Sequence, residues 1–280
     1  MVKIFLSFLL LFGLGYADEG LTLDQNLLAQ KIQSFVGEKA YKNKINFINV
    51  IFDPKTSFYK NDRVDVIKVV QTLEDNGLLN LFFQKPQEVR LNFRTSGSPL
   101  FFVKLMGDSL RNIGYYRYVT TASKLNSSEF TWSITMTSEY ATDPLILQKE
   151  LAKSGCYITD ITKKSATNWT YVVDMRAGFL NLLVLQDAKE VRLKHSLYAH
   201  WLDCSSIQTL KIRSSRRNHW YPQISYYDAS LHLLEVTKID EKRQLVTLQI
   251  PKRAKYMKIS DLYTLKNVKD ELRLIPYGRR

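Results

Sequence analysis

Cysteine is nearly absent from this sequence: 280 residues carry two, Cys156 and Cys204. Two cysteines cannot build a disulfide-dense small scaffold or a cysteine-rich structural zinc site. Histidine is scarce as well. His195, His200, His219 and His232 form no H-E-x-x-H pattern and sit at no zinc spacing from a cysteine. From Asp18 onward there are nine glycines, and no two are placed as G-x-G, G-x-S-x-G or a phosphate-cradling P-loop require. No familiar nucleotide site, metal site or nucleophile elbow is therefore expected, and no cofactor or metal. Carboxylates are scattered, with no pair that spacing assigns to general acid and base. Long apolar runs are also missing past Leu14. The longest, Phe179 to Leu185, is interrupted by Asn181 and falls far short of the roughly 20 residues that span a bilayer.

What is present starts at the N-terminus. Lys3 precedes an apolar run from Ile4 to Leu14, and Gly15-Tyr16-Ala17 follows ahead of Asp18 and Glu19. A basic start, a short apolar stretch and a small-x-small cleavage site predict a signal peptide over residues 1–17. The mature chain is then expected in the periplasm or secreted beyond it. In such an oxidising compartment Cys156 and Cys204 are expected to form a disulfide, worth roughly 4 kcal/mol on the chain-entropy model for a loop of this size.

The sequence carries a formal net charge of +13, and the excess is concentrated late: from Ser205 onward sixteen Lys and Arg stand against seven Asp and Glu. For an exported protein this predicts an anionic glycan, lipid headgroups or an acidic protein as partner rather than nucleic acid.

Between Arg63 and Met175 one pattern recurs. Leu73 to Gly77, Leu110 to Gly114 and Leu151 to Gly155 each read Leu-x-x-x-Gly, the mark of a helix ended by a left-handed glycine. Ser98-Pro99 and Asp143-Pro144 supply an N-cap followed by proline at the first helical position, and Asn61 or Asp62 is the candidate cap for the first helix. Two strand-like runs follow each glycine: Leu79–Phe83 with Val89–Phe93, Tyr115–Thr121 with Phe130–Met136, and Tyr157–Ile161 with Trp169–Val173. Phe130, Trp132, Ile134 and Met136 alternate with polar residues, a period of two with one dry face. Ahead of these units the spacing predicts a helix from Leu23 to Val36, with Thr22 and Gln25 as a capping box, and a strand from Ile45 to Phe52. The expectation for residues 18–176 is an α+β domain of three α-β-β repeats on a mixed sheet. In element order the repeated units between Arg63 and Met175 resemble POTRA-like periplasmic assembly modules, which implies partner binding by strand addition.

From Gly178 onward no helical period is found. Strands are expected at Phe179–Leu185, Glu190–Lys194, Leu197–Leu202, Thr209–Arg213, Leu231–Ile239, Leu245–Ile250 and Tyr256–Ile259. This predicts a mostly antiparallel, β-sandwich-like basic domain over 177–280. One segment there combines arginine forks with aromatic rings: Arg213, Arg216, Arg217, His219, Trp220 and Tyr221, then Tyr226 and Tyr227. Guanidinium groups grip carboxylate or phosphate and rings stack on sugars, so these eight residues are the candidate ligand-binding site.

Together these readings predict an exported, non-enzymatic envelope protein that binds another protein or an anionic glycan in an assembly or scaffolding role. The alternative is a glycan-binding or glycan-hydrolysing β-sandwich protein that uses Arg213–Tyr227.

Overall fold

The computed structural model describes residues 19–278. The predicted leader, residues 1–17, lies outside them. The chain opens with three helices, α1 (Glu19–Val36), α2 (Glu38–Asn43) and α3 (Ile45–Ile51). A 3-10 turn and a two-strand hairpin follow, β1 (Tyr59–Lys60) and β2 (Arg63–Val64). Next come α4 (Val66–Asp75), β3 (Phe82–Thr95), α5 (Pro99–Asn112), β4 (Val119–Leu125), β5 (Phe130–Tyr140), α6 (Pro144–Ala152), β6 (Tyr157–Ser165) and β7 (Asn168–Asp174).

Strands β3 to β7 form one mixed sheet in the order β4-β5-β3-β7-β6, antiparallel except where β3 lies parallel to β7. The alternation read from the sequence decides its two faces. Val89, Leu91 and Phe93 of β3, Trp132 and Ile134 of β5, and Trp169 and Tyr171 of β7 are buried in one cluster with Val70 and Leu73 of α4, Phe102 and Met106 of α5, and Leu147 and Leu151 of α6. Each such large side chain contributes about 1.5–3 kcal/mol by leaving water. The opposite face is polar. On it Asn92 donates to Asn168 Oδ1 at 3.1 Å and accepts from Ser133 Oγ at 2.8 Å, tying three neighbouring strands.

The Leu-x-x-x-Gly signal has one physical origin in all three places. Gly77, Gly114 and Gly155 have φ of 64°, 101° and 68°, where a Cβ would clash with the backbone. In each case the residue after the glycine donates its N–H to the leucine carbonyl: Leu78 to Leu73 at 2.8 Å, Tyr115 to Leu110 at 2.8 Å, Cys156 to Leu151 at 3.1 Å. This six-to-one bond closes the helix end and turns the chain onto the sheet. The three leucines are fully buried, so the same residue anchors the helix and accepts the capping bond.

Several expectations are corrected. The run Ile45–Phe52 is helix α3 rather than a strand, because its buried residues, Ile48 and Phe52, are spaced by four and not by two. The two runs 79–83 and 89–93 are not separate strands. They fall largely in the single long strand β3, which shifts register between Phe82 and Gln87, so two full α-β-β units follow one α-β unit. Helix α4 is capped by Asp65, which accepts from Lys68 N–H at 3.1 Å, whereas Asn61 and Asp62 form the β1–β2 turn with positive φ. Helix α1 begins at Glu19, which puts Thr22 inside it rather than at its start.

The remainder is built from strands. They are β8 (Leu183–Val184), β9 (Val191–Leu193), β10 (His200–Asp203), β11 (Ile207–Ser214), β12 (Pro222–Tyr227), β13 (Leu233–Lys238), β14 (Leu245–Gln249), β15 (Tyr256–Asp261) and β16 (Leu272–Gly278). They make a five-stranded sheet, β13-β12-β15-β10-β8, and a four-stranded sheet, β14-β11-β16-β9. Leu202, Ile224, Met257 and Ile259 of the first pack in one buried cluster with Leu210, Ile212, Leu248 and Leu274 of the second. This cluster is separate from the helix-covered core, but the two parts interlock. Leu231 and Tyr256 are buried in the helix-covered core, Lys104 of α5 lies 5.1 Å over the Trp201 ring, and Ser98 Oγ donates to the Ser230 carbonyl at 3.0 Å.

The predicted disulfide is not formed. Cys156 is buried in the helix-covered core and its thiol donates to the Ser154 carbonyl, while Cys204 is buried in the other cluster and donates to the Lys255 carbonyl, each at 3.5 Å. A bridge needs Cα atoms within about 7 Å, and residence in different cores keeps the two thiols from meeting. Burial, with the Asp174 charge acting the same way, pushes the Cys156 thiol up to about 11, far from the thiolate a nucleophile needs. Among the described residues no helix is long and apolar enough to cross a membrane.

Candidate functional site

The predicted segment 213–227 divides into a wet half and a dry half. Arg213 stands at the exposed end of β11, and Arg216, Arg217 and His219 are exposed on the loop after it. Trp220 is wholly buried in the second core, and its indole N–H donates to the Ser260 carbonyl at 2.9 Å. Tyr226 is also buried, on central strand β12, and burial pushes its hydroxyl pKa well up. Tyr227 packs against Trp201 with ring centroids 4.9 Å apart, and the half-buried Tyr221 meets Tyr263 edge-on at 5.1 Å. The loop between is held by Asn218, whose side chain donates to Ser214 Oγ and the Glu271 carbonyl and accepts from Asp270 N–H. Cations and rings are thus not brought to a common site: the rings hold the core, and the cations remain on the surface.

Elsewhere the surface carries an aromatic cleft that periodicity did not single out. It is a cavity of about 290 Å³ lined by Leu81, Phe82, Ile113, Tyr115, Tyr140, Ala141, Asp143 and Ile146. Its position follows from the local sequence. Phe82 and Tyr140 pair across the start of β3 and the end of β5, beyond the register shift, so both leave the covered part of the sheet. Ala141 N–H donates to the Leu81 carbonyl at 2.8 Å and closes the floor. Tyr115 directly follows the Gly114 cap, and Asp143 caps α6 by accepting from Leu145 and Ile146 N–H at 2.8 and 3.1 Å. The rings of Phe82 and Tyr140 lie 6.2 Å apart and those of Tyr115 and Tyr140 6.3 Å apart. Phe82 is 75% exposed, Ile146 53% and Tyr140 45%, so apolar side chains face water around the cleft. The signal in the sequence was Leu78-Leu79, then Leu81-Phe82-Phe83: too many consecutive apolar residues for a sheet with one dry face.

Asp143 lines the cleft. Outside that lining, on α4, Glu74 feels the Asp143 charge and has a carboxylate oxygen, Oε1, buried without a hydrogen-bond partner. Burial pushes the Glu74 carboxyl up to about 7, and the charges of Asp143 and Asp75 push the same way. Its folded pKa lies above the unfolded value of about 4.5, so the stability it contributes is full below that value and is lost as pH rises through about 7. Glu74→Gln should therefore raise the thermal midpoint at pH 8 relative to the parent protein and leave it nearly unchanged at pH 4.5. Melting curves of both proteins across this range check it; an equal shift at both ends would mean that the carboxylate is not strained.

Among the described residues no three His, Cys, Asp or Glu side chains converge as a metal ion requires. No protein-family model matches the chain, and no curated protein matches it.

Proposed function

We propose that this is an exported, non-catalytic envelope protein, held in the periplasm or released from it, that binds another protein in an assembly or scaffolding role. The docking point in this reading is the aromatic cleft. One observation carries it: Phe82, Tyr140 and Ile146 hold apolar surface in water around a preformed cavity, a cost that a soluble protein meets at contact sites. Tyrosine and phenylalanine in a pocket are the residue types that dominate protein contacts, because they bury large area at little conformational cost. A cavity of about 290 Å³ suits one or two apolar side chains of a partner, with Asp143 at the rim to accept from its backbone or a cation. In the same reading residues 18–176 are one α+β domain and residues 177–280 a β-sandwich-like basic domain. The two sheets sharing one core support that division.

The test is affinity capture from cross-linked envelopes with the parent protein, Phe82→Ala/Tyr140→Ala, and Leu125→Ala on the distant edge strand β4. Because Phe82 is largely exposed and Tyr140 is nearly half exposed, the double variant should fold with a thermal midpoint close to the parent's. It should lose at least about tenfold in partner recovery, while Leu125→Ala retains it. Equal recovery with all three would remove the cleft from the reading.

A further inference from the structure

The outer face of the four-stranded sheet carries like charges placed directly opposite one another. Arg213 on β11 pairs across with Arg273 on β16, and Arg273 pairs across with Arg192 on β9. The three guanidinium groups therefore form one row across three adjacent strands, roughly 10 Å long at the usual strand spacing. All three are exposed. Opposed like charges weaken a sheet, so a row of three is an arrangement that packing does not favour. Arg192 and Arg273 are partly offset by Glu190 at 3.2 Å and Glu271 at 2.6 Å, each on its own strand or just before it. Arg213 makes no ion pair among the described residues. The loop that follows it adds Arg216 and Arg217, also exposed, at the same end of the sheet.

Four residues along β16 from Arg273, on the same face and roughly 13 Å from the arginine row, lies Tyr277. It pairs with Thr209 next to Lys211, whose ammonium sits 5.2 Å over the ring. The ring is 41% exposed. The sheet face thus joins the two chemistries that segment 213–227 failed to join: guanidinium forks for anionic groups and an aromatic face for a sugar ring.

The geometry points to a binding site for a linear anionic glycan along this face, with Arg213, Arg273 and Arg192 engaging successive carboxylate, sulfate or phosphate groups and Tyr277 stacking on a sugar. The site is distinct from the aromatic cleft and does not depend on the protein partner. A line of charge with a ring two same-face positions further along the strand matches an extended chain of anionic sugars better than a planar lipid surface, which would be met by cations spread over an area.

The test uses the full mature chain and polygalacturonate as probe, with neutral dextran and phosphatidylglycerol vesicles as comparators. The parent protein should bind polygalacturonate at 50 mM salt and not dextran. Arg213→Gln/Arg273→Gln should weaken that binding at least about tenfold. Tyr277→Ala should weaken it several-fold, and Lys39→Gln, on α2, should not alter it. Because the double variant removes opposed charges, its thermal midpoint should equal or exceed the parent's. Should it misfold instead, the parent's salt dependence decides: the apparent Kd should rise at least about tenfold between 50 and 300 mM salt. The proposal is overturned by unchanged binding in the double variant, by a flat salt response, by absent binding to polygalacturonate, or by tighter binding to the vesicles at equal anionic-group concentration.

Discussion

Trp220→Ala should destabilise the protein by about 3–5 kcal/mol, seen as a lower midpoint in urea, because it empties a large volume at the centre of the strand-rich core. Trp220 has no exposure, contacts both sheets' cluster, and donates its indole N–H to the Ser260 carbonyl. Removing it forfeits the buried area, leaves a cavity and orphans an acceptor. At temperatures where the variant remains folded, its binding to polygalacturonate should match the parent's, since the ring faces away from the arginine row. A variant of normal stability with lost glycan binding would reverse this assignment and return the indole to the surface.

That prediction marks where sequence reasoning succeeded and where it did not. The helix ends of the first half were legible because a single backbone requirement, positive φ, selects glycine, and the buried leucine four residues before it supplies the accepting carbonyl. The alternation in β5 was legible because only one face of that sheet is covered. Helix α3 was not: Ile45-Asn-Phe-Ile-Asn-Val-Ile is rich in β-branched residues, and the choice of helix rests on Ile48 and Phe52 packing into a core that the segment alone does not specify. Strands β12 and β16 were missed for two different reasons. The β12 run was read as part of a binding segment because Trp220, Tyr226 and Tyr227 are rich in chemistry as well as in area. In β16, Pro276 masks the strand, although a proline is tolerated there opposite Leu210. The disulfide was inferred from compartment and count, and neither quantity contains the distance between two cores.

The candidate sites show the same division. Arg213, Arg216 and Arg217 were legible as surface cations, because solvated charge needs no tertiary partner to stay outside. The row that Arg213 forms with Arg273 and Arg192 could not be read, since those residues are separated by sixty and by eighty-one positions and meet only through the register of β11, β16 and β9. The aromatic cleft likewise depends on a register shift in β3 that carries Phe82 and Tyr140 past the covered part of the sheet. Long-range register is the information a single sequence does not carry in its local periodicity.

The second large effect is expected at Asp261, which is 5% exposed at the end of β15. Its Oδ1 accepts from Tyr263 N–H and Thr264 N–H, each at 2.9 Å, and from Asn267 Nδ2 at 3.0 Å, while Oδ2 accepts from Tyr221 N–H at 2.9 Å. One carboxylate thereby satisfies four donors from two loops, the one between β11 and β12 and the one between β15 and β16. The consequence extends to the basic loop, because Asn267 in turn offers its carbonyl to His219 N–H at 2.8 Å. Asp261→Ala leaves the four donors without their acceptor, and at about 1 kcal/mol or more for each the variant should lose roughly 3–5 kcal/mol after water reaches part of the gap. Asp261→Asn keeps one accepting oxygen but turns an amide toward a donor, so its loss should be smaller yet still measurable by urea unfolding. Trp220 lies beside this network, its acceptor Ser260 being the neighbour of Asp261. The two alanine substitutions should therefore cost less together than the sum of each alone, by a margin above about 0.5 kcal/mol. Strict additivity would mean that the ring and the carboxylate hold separate parts of the fold.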